Sequence, residues 1–376
     1  MKNAPAKASA LLACALMFAV APASAAVKDG TQGDDRIVGT NASDRIRSFA
    51  GADVVKARGG SDVVKSGPGE DELWGGSGAD NLNSSSDDDE IHGDADNDLV
   101  SGGPGADLLF GDDGDDKLIG GTGVDTLWGG TGRDLLRGGI DVDVLWGGAD
   151  NDQLEGQSGQ DELHGDEGDD LLRGGTEGDT LWGGADVDRL EGQGGDDIIY
   201  GEDGRDTARG GDGNDVIYGG AGDDNVRISS DLDGPGGLLG AAGDDRIFGE
   251  DGDDHVSGAE GRDYVDGGAG NDELDGGSGD DLLVDGEGDD QLTGDEGDDT
   301  IYLGPGRDEP YSEEGDDVYY VLNDGVRDDI YCQGGYDTVH FVGTRDPLDV
   351  IHDLPNGSGP CEVVDVVSTA PADWPY

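Results

Sequence analysis

Gly120-Gly121-Thr122-Gly123-Val124-Asp125-Thr126-Leu127-Trp128 is the stretch that decides the fold, because the chain repeats it with a period of nine. Gly210-Gly211-Asp212-Gly213-Asn214-Asp215-Val216-Ile217-Tyr218 is a second clean copy. From Gly30 to Arg227 the sequence divides into twenty-two such units, and the sixth position is Asp in every one, from Asp35 to Asp224. The eighth position is Leu, Ile or Val throughout, except at Ala208. After twelve residues, Ile228–Leu239, the phase resumes at Gly240 and carries Asp from Asp245 to Asp317. Repeats of fixed period and this number specify stacked units rather than one globular core. The pattern reads as a solenoid whose turns are held by something that binds carboxylates.

Within one unit, glycines at the first, second and fourth positions permit positive φ, so six residues can form a tight turn. Where the fourth position is not Gly it is usually Asp, as at Asp87, Asp96, Asp141, Asp150 and Asp186; Asp tolerates the left-handed region. Ala42 and Glu177 do not fit this account. The last three positions form a minimal strand, with the eighth side chain inward and its neighbours outward. Two nonads then make one coil of eighteen residues. Odd and even nonads build two parallel sheets around a narrow aliphatic interior. The expected fold is all-β, a parallel β-roll, right-handed as parallel crossovers almost always are.

The repeat G-G-x-G-x-D-x-U-x, with U aliphatic, resembles the RTX or hemolysin-type calcium-binding nonapeptide family from Gly30 to Asp349. The resemblance implies calcium ions between turns on the same side of adjacent coils. The ligands it implies are the sixth-position Asp residues of nonads i and i+2 and carbonyls of the glycine-rich turns. It assigns metal binding to Asp80, Asp98, Asp107, Asp116, Asp125, Asp134, Asp143, Asp152, Asp161, Asp170, Asp179, Asp188, Asp197, Asp206, Asp215 and Asp224 in the first block. In the second block it assigns Asp245, Asp254, Asp263, Asp272, Asp281, Asp290 and Asp299. Composition argues independently for a ligand. The formal net charge is −67, and 75 of the 376 residues are Gly. Two aliphatic side chains per coil are little against the entropy of ordering eighteen residues. Without a ligand such a chain is expected to be disordered; calcium, which takes six to eight oxygen ligands, supplies the missing term.

Residues 1–25 read as a secretory signal peptide, with Lys2 and Lys7, an apolar run from Ala8 to Val20, and a small-residue cleavage site at Ala23-Ser24-Ala25. Block 1 of the roll is expected over 26–227 and block 2 over 240–349, with 228–239 an insertion or break. That break is either a bulging loop in one continuous roll, the favoured reading, or a boundary between two rolls. Units before Gly75 have lost several glycines, as in Ser48-Phe49-Ala50-Gly51-Ala52-Asp53, and are expected to hold metal weakly. Looser units follow at Asp328, Asp337 and Asp346, and 350–376 is a cap or tail. Cys332 and Cys361 lie in an exported chain, so one disulfide is the natural reading and two free thiols the alternative.

The ninth position faces outward and depends on parity. One series runs Trp74, His92, Phe110, Trp128, Trp146, His164, Trp182, Tyr200, Tyr218; the other includes Arg137, Glu155, Arg173 and Glu191. A ring ladder on one sheet and alternating charges on the other stabilise neighbouring strands. The ring strip is also a candidate contact for a cell-surface glycan or protein. Nucleic acid is disfavoured by the negative charge, and the apolar leader is too short to span a membrane. No HExxH motif is present and the repeats leave no space for a catalytic domain, so no enzyme is expected. The expected protein is exported, binds many calcium ions and folds on binding them; the alternative is a calcium-rigidified adhesin or surface-layer component.

Overall fold

The computed structural model describes residues 24–224, 237–343, 345, 347–353 and 362–367. Most of the expected leader, Cys361, Asp346 and most of 228–239 lie outside the described residues. The described chain is all-β, without a helix, and its strands alternate between two parallel sheets. Thr126–Thr131 pairs with Val144–Ala149 in one sheet, and Leu135–Ile140 pairs with Gln153–Ser158 in the other. Partners such as Leu127 and Leu145, or Leu136 and Leu154, are eighteen residues apart, so one coil is two nonads. Among the described residues no helix is long and apolar enough to cross a membrane.

The first three strands have the three residues expected, but from Val54–Gly59 onward the strands are longer, most of them six residues. Thr126–Thr131 takes in the last three positions of one nonad and the first three of the next. Its alternation continues through the glycine pair, so both Leu127 and Gly129 are buried while Trp128 and Gly130 are partly exposed. The turn is therefore confined to positions four to six. The two leading glycines do different jobs. The second has positive φ, as at Gly121 (131°), and so does the fourth, as at Gly123 (116°). The first does not need it: at Gly147 a Cβ would lie 2.5 Å from Asp152 Oδ2 and 2.8 Å from the Gly165 carbonyl oxygen. Glycine stands there for space, not for conformation.

Asp87, Asp96, Asp141, Asp150 and Asp186 all take positive φ, between 75° and 83°. Glu177, which the repeat pattern alone does not explain, does the same at 72°, and its carboxylate accepts the Gly159 N–H at 3.2 Å. The interior is one narrow file of aliphatic side chains, with Leu109, Leu127 and Leu145 from one sheet meeting Leu118, Leu136 and Leu154 from the other, all fully buried.

Both ladders pass across the insertion. Val216–Ala221 pairs with Arg246–Asp251, and Thr207–Asp212 pairs with Leu238–Ala242, at a separation of thirty residues. The outer ring row continues with them. Trp74, His92, Phe110 and Trp128 stack successively, as do Trp146, His164, Trp182, Tyr200 and Tyr218, and Tyr218 stacks on Phe248 at 5.1 Å across the insertion. On the opposite sheet Arg137 meets Glu155 at 2.7 Å, and Arg173 meets Glu191 at 2.9 Å and Glu155 at 3.8 Å.

Candidate metal centre

Coil stacking places the sixth-position Asp residues in two rows, one on each side of the roll. All twenty-three Asp residues assigned from sequence are buried, between 0 and 4 % exposed. Their geometry is uniform. The backbone N–H of each Asp donates to Oδ1 of the Asp one coil later, as from Asp107 to Asp125 at 2.9 Å and from Asp125 to Asp143 at 2.8 Å. The Asp carbonyl accepts the amide that opens the strand above, as from Val144 to Asp125 at 3.0 Å. The same linkage bridges the insertion, from Asp215 to Asp245 at 2.7 Å and from Asp224 to Asp254 at 2.8 Å.

The second carboxylate oxygen is different. In every one of the twenty-three, Oδ2 is buried and has no hydrogen-bond partner. In all but Asp290 it lies beside the first glycine of its own nonad, and at many of these glycines a carbonyl oxygen from the neighbouring coil also converges: beside Gly111 these oxygens belong to Asp116 and Gly129. An unpartnered buried polar atom is costly, and a buried charge more so. Burial accordingly pushes these carboxyls upward, assisted by the like charges above and below. Asp143 and Asp152 rise to about 8, and Asp161 and Asp215 to about 6. One oxygen oriented by an amide, the other bare, and neighbouring carbonyls make a hard all-oxygen donor set that fits calcium and not a thiolate- or imidazole-seeking metal.

The first coils provide the contrast. Asp44 Oδ1 accepts the Ala26 N–H and the Thr40 hydroxyl, and Oδ2 accepts the Thr40 N–H at 2.6 Å. Burial raises its pKa, but these bonds outweigh it and hold the carboxyl below its ordinary value. Asp44 is thus satisfied by the chain itself, in keeping with the degenerate glycines around it. The bare oxygen begins at Asp53, earlier than the assignment from Asp80 onward. Asp53, Asp62, Asp71 and Asp89 share the buried, half-satisfied state, and so do Asp308 and Asp317. Their signal was the unbroken nine-residue phase; missing glycines had masked it. In the last coils the spacing grows: the Asp308 amide reaches Asp328 and the Asp328 amide reaches Asp349, at 3.2 and 3.3 Å. Asp349 therefore continues the row where Asp346 was expected.

One place departs from the rule. Asp285 occupies a first position and is fully buried. Among the described residues, only Asp285, Asp290 and Asp308 gather three potential ligand atoms of His, Cys, Asp or Glu within 4.8 Å. Burial, followed by the Asp285 charge, pushes the Asp308 carboxyl up to about 10.

A coil of eighteen residues, two Asp rows and bare buried oxygens facing glycine turns define a calcium-binding repeat architecture. The profile of the RTX calcium-binding nonapeptide repeat matches the chain in overlapping windows over residues 29–227 and 239–310, well over half its length. The chain belongs to that family. No curated protein matches it.

Proposed function

We propose that this calcium-binding repeat protein is exported and that calcium drives its folding, with no catalytic role. The observation that carries the reading is the bare, buried Oδ2 on each assigned Asp from Asp80 to Asp299. These residues would hold calcium together with turn carbonyls. The bound ion would supply positive charge and oxygen coordination between coils. Each carboxylate is already aimed by its Oδ1 bond to the preceding coil, so binding needs little rearrangement once two coils have met. In a calcium-poor cytosol the acidic chain stays extended and passes through the export machinery behind its leader. Outside, at affinities of about 10⁻⁴–10⁻³ M typical of extracellular modules, coils close cooperatively. Cys332, buried near the end of the roll, would pair with Cys361 to clamp the last coil.

Far-ultraviolet circular dichroism of residues 26–376 during a calcium titration, with magnesium as control, tests this. The expected result is a coil-to-strand transition specific for calcium. A fully ordered chain at neutral pH in excess chelator overturns the proposal.

The stacked ring row favours a second reading, a calcium-rigidified adhesin that presents this strip to a surface glycan or protein. Changing Trp128, Trp146 and Trp182 to Ser should then abolish binding to cells or glycan arrays while calcium-induced folding survives. Unchanged binding would leave the row a purely structural role.

A further inference from the structure

Resting on the calcium reading, we propose that Asp285, Asp290 and Asp308 form a distinct three-carboxylate calcium site that binds more tightly than the repeat sites and fills first. The sequence places Gly at most first positions, and Ser48, Ala57, Ser66, Ser84, Leu303 and Ser312 at others; Asp285 is the single charged residue among them. Elsewhere the first position is where glycine leaves space beside the bare carboxylate oxygen. Here a third carboxylate is inserted into that space.

The surroundings are built to take it. Asp285 Oδ1 accepts the N–H of Gly286 and of Gly304, both at 2.7 Å, so the carboxylate is oriented from two adjacent coils. The ladder opens to admit it. Pairing between Leu282–Glu287 and the next strand of that sheet, Thr300–Leu303, ends where Val284 meets Tyr302, whereas Leu282–Glu287 pairs with the preceding strand as far as Glu287. The amide link from Asp290 to Asp308 is 3.1 Å, longer than the 2.7–2.9 Å typical of the array. Asp290 and Asp308 are 1 and 0 % exposed, each has a buried carboxylate oxygen without a hydrogen-bond partner, and the two residues and Asp285 each bring a carboxylate oxygen within 4.8 Å of the others. Arg307, the nearest cation in sequence, is drawn away to Glu309 and Asp329.

Three carboxylates within one ligand-sized space carry more negative charge than any regular site, and calcium affinity rises with the number of charged ligands. The cluster also sits where the coil widens, just before the Asp308 amide reaches twenty residues on to Asp328. Cation binding there would tie the regular array to its wider C-terminal coils, so ordering would begin at this end.

Isothermal titration calorimetry of the full chain with calcium alone tests the assignment. Wild type should show a first phase of single-ion stoichiometry, roughly tenfold tighter than the remainder. Asp285→Asn keeps the acceptor for both glycine amides and removes the charge; Asp285→Gly restores the repeat's own residue but removes that acceptor, so the calcium-saturated circular dichroism spectrum checks that its coil is intact. Both should lose the tight phase and leave the later phase and the calcium-saturated circular dichroism spectrum unchanged. A tight phase that persists in both variants, or no separate phase in wild type, overturns the inference while calcium binding stands. Absence of any calcium binding would instead sink the broader reading.

Discussion

Acid should replace calcium as the condition that folds this chain. The carboxyls of the two Asp rows are pushed above their ordinary value of 3.8, to about 6 at Asp161 and Asp215 and to about 8 at Asp143 and Asp152. A group whose pKa is higher folded than unfolded binds its proton more tightly in the folded state. Its contribution is fully present below about 4 and is lost as pH rises through the folded value. Taking the smaller shift, from 3.8 to about 6, and about 1.4 kcal/mol per unit, each ionised carboxyl opposes folding at neutral pH by about 3 kcal/mol relative to acid. Two per coil oppose it by about 6 kcal/mol, which matches the burial of the coil's two aliphatic side chains at about 3–6 kcal/mol. Without a counter-charge the ionised rows cancel what that burial contributes. In excess chelator the chain should therefore be disordered at pH 8 and acquire strand signal between pH 8 and pH 5, read by circular dichroism and tryptophan fluorescence. The calcium midpoint should rise as pH falls, because protons and calcium compete for the same oxygens. Order at pH 8 in chelator would refute the reasoning, and so would a chain still disordered at pH 5.

Gly147→Ala should lower stability in saturating calcium by about 1–3 kcal/mol, since its Cβ would press on Asp152 and the Gly165 carbonyl, whereas Gly33→Ala, with nothing within 4 Å, should change nothing; thermal unfolding of the pair decides, and equal effects would refute the steric account. Arg173→Ala removes contacts to Glu155 and Glu191 on a partly exposed face and should cost about 0.2–1 kcal/mol. The Glu191 carboxyl, which burial raises but Arg173 and Arg189 hold below its ordinary value, should then titrate at higher pH in an NMR titration.

Much of the architecture is written locally. A strict alternation of Asp125, Leu127 and Trp128 every nine residues fixes which side chain is inward, which outward and which lies in the turn, because strand geometry has a period of two and the turn needs residues that tolerate positive φ. The coil of eighteen, the two sheets, the ring row, the charged row and the family were all legible from that phase. Metal candidacy was legible too, since Asp repeated without exception has no use in an aliphatic core.

What depended on the third dimension is whatever coil stacking decides. Part of the reason for the first glycine, as at Gly147, is the carbonyl of a residue eighteen positions later, which no single nonad contains. The division of each carboxylate into a bonded Oδ1 and a bare Oδ2 likewise belongs to the contact between coils. Glu177 fits its turn because a neighbouring coil offers the Gly159 amide. Tyr218 finds Phe248 only because twelve extra residues leave both ladders in register. The meeting of Asp285 with Asp308, twenty-three residues apart, follows from one coil's rise, and their chemistry as a pair is invisible until the coils are stacked.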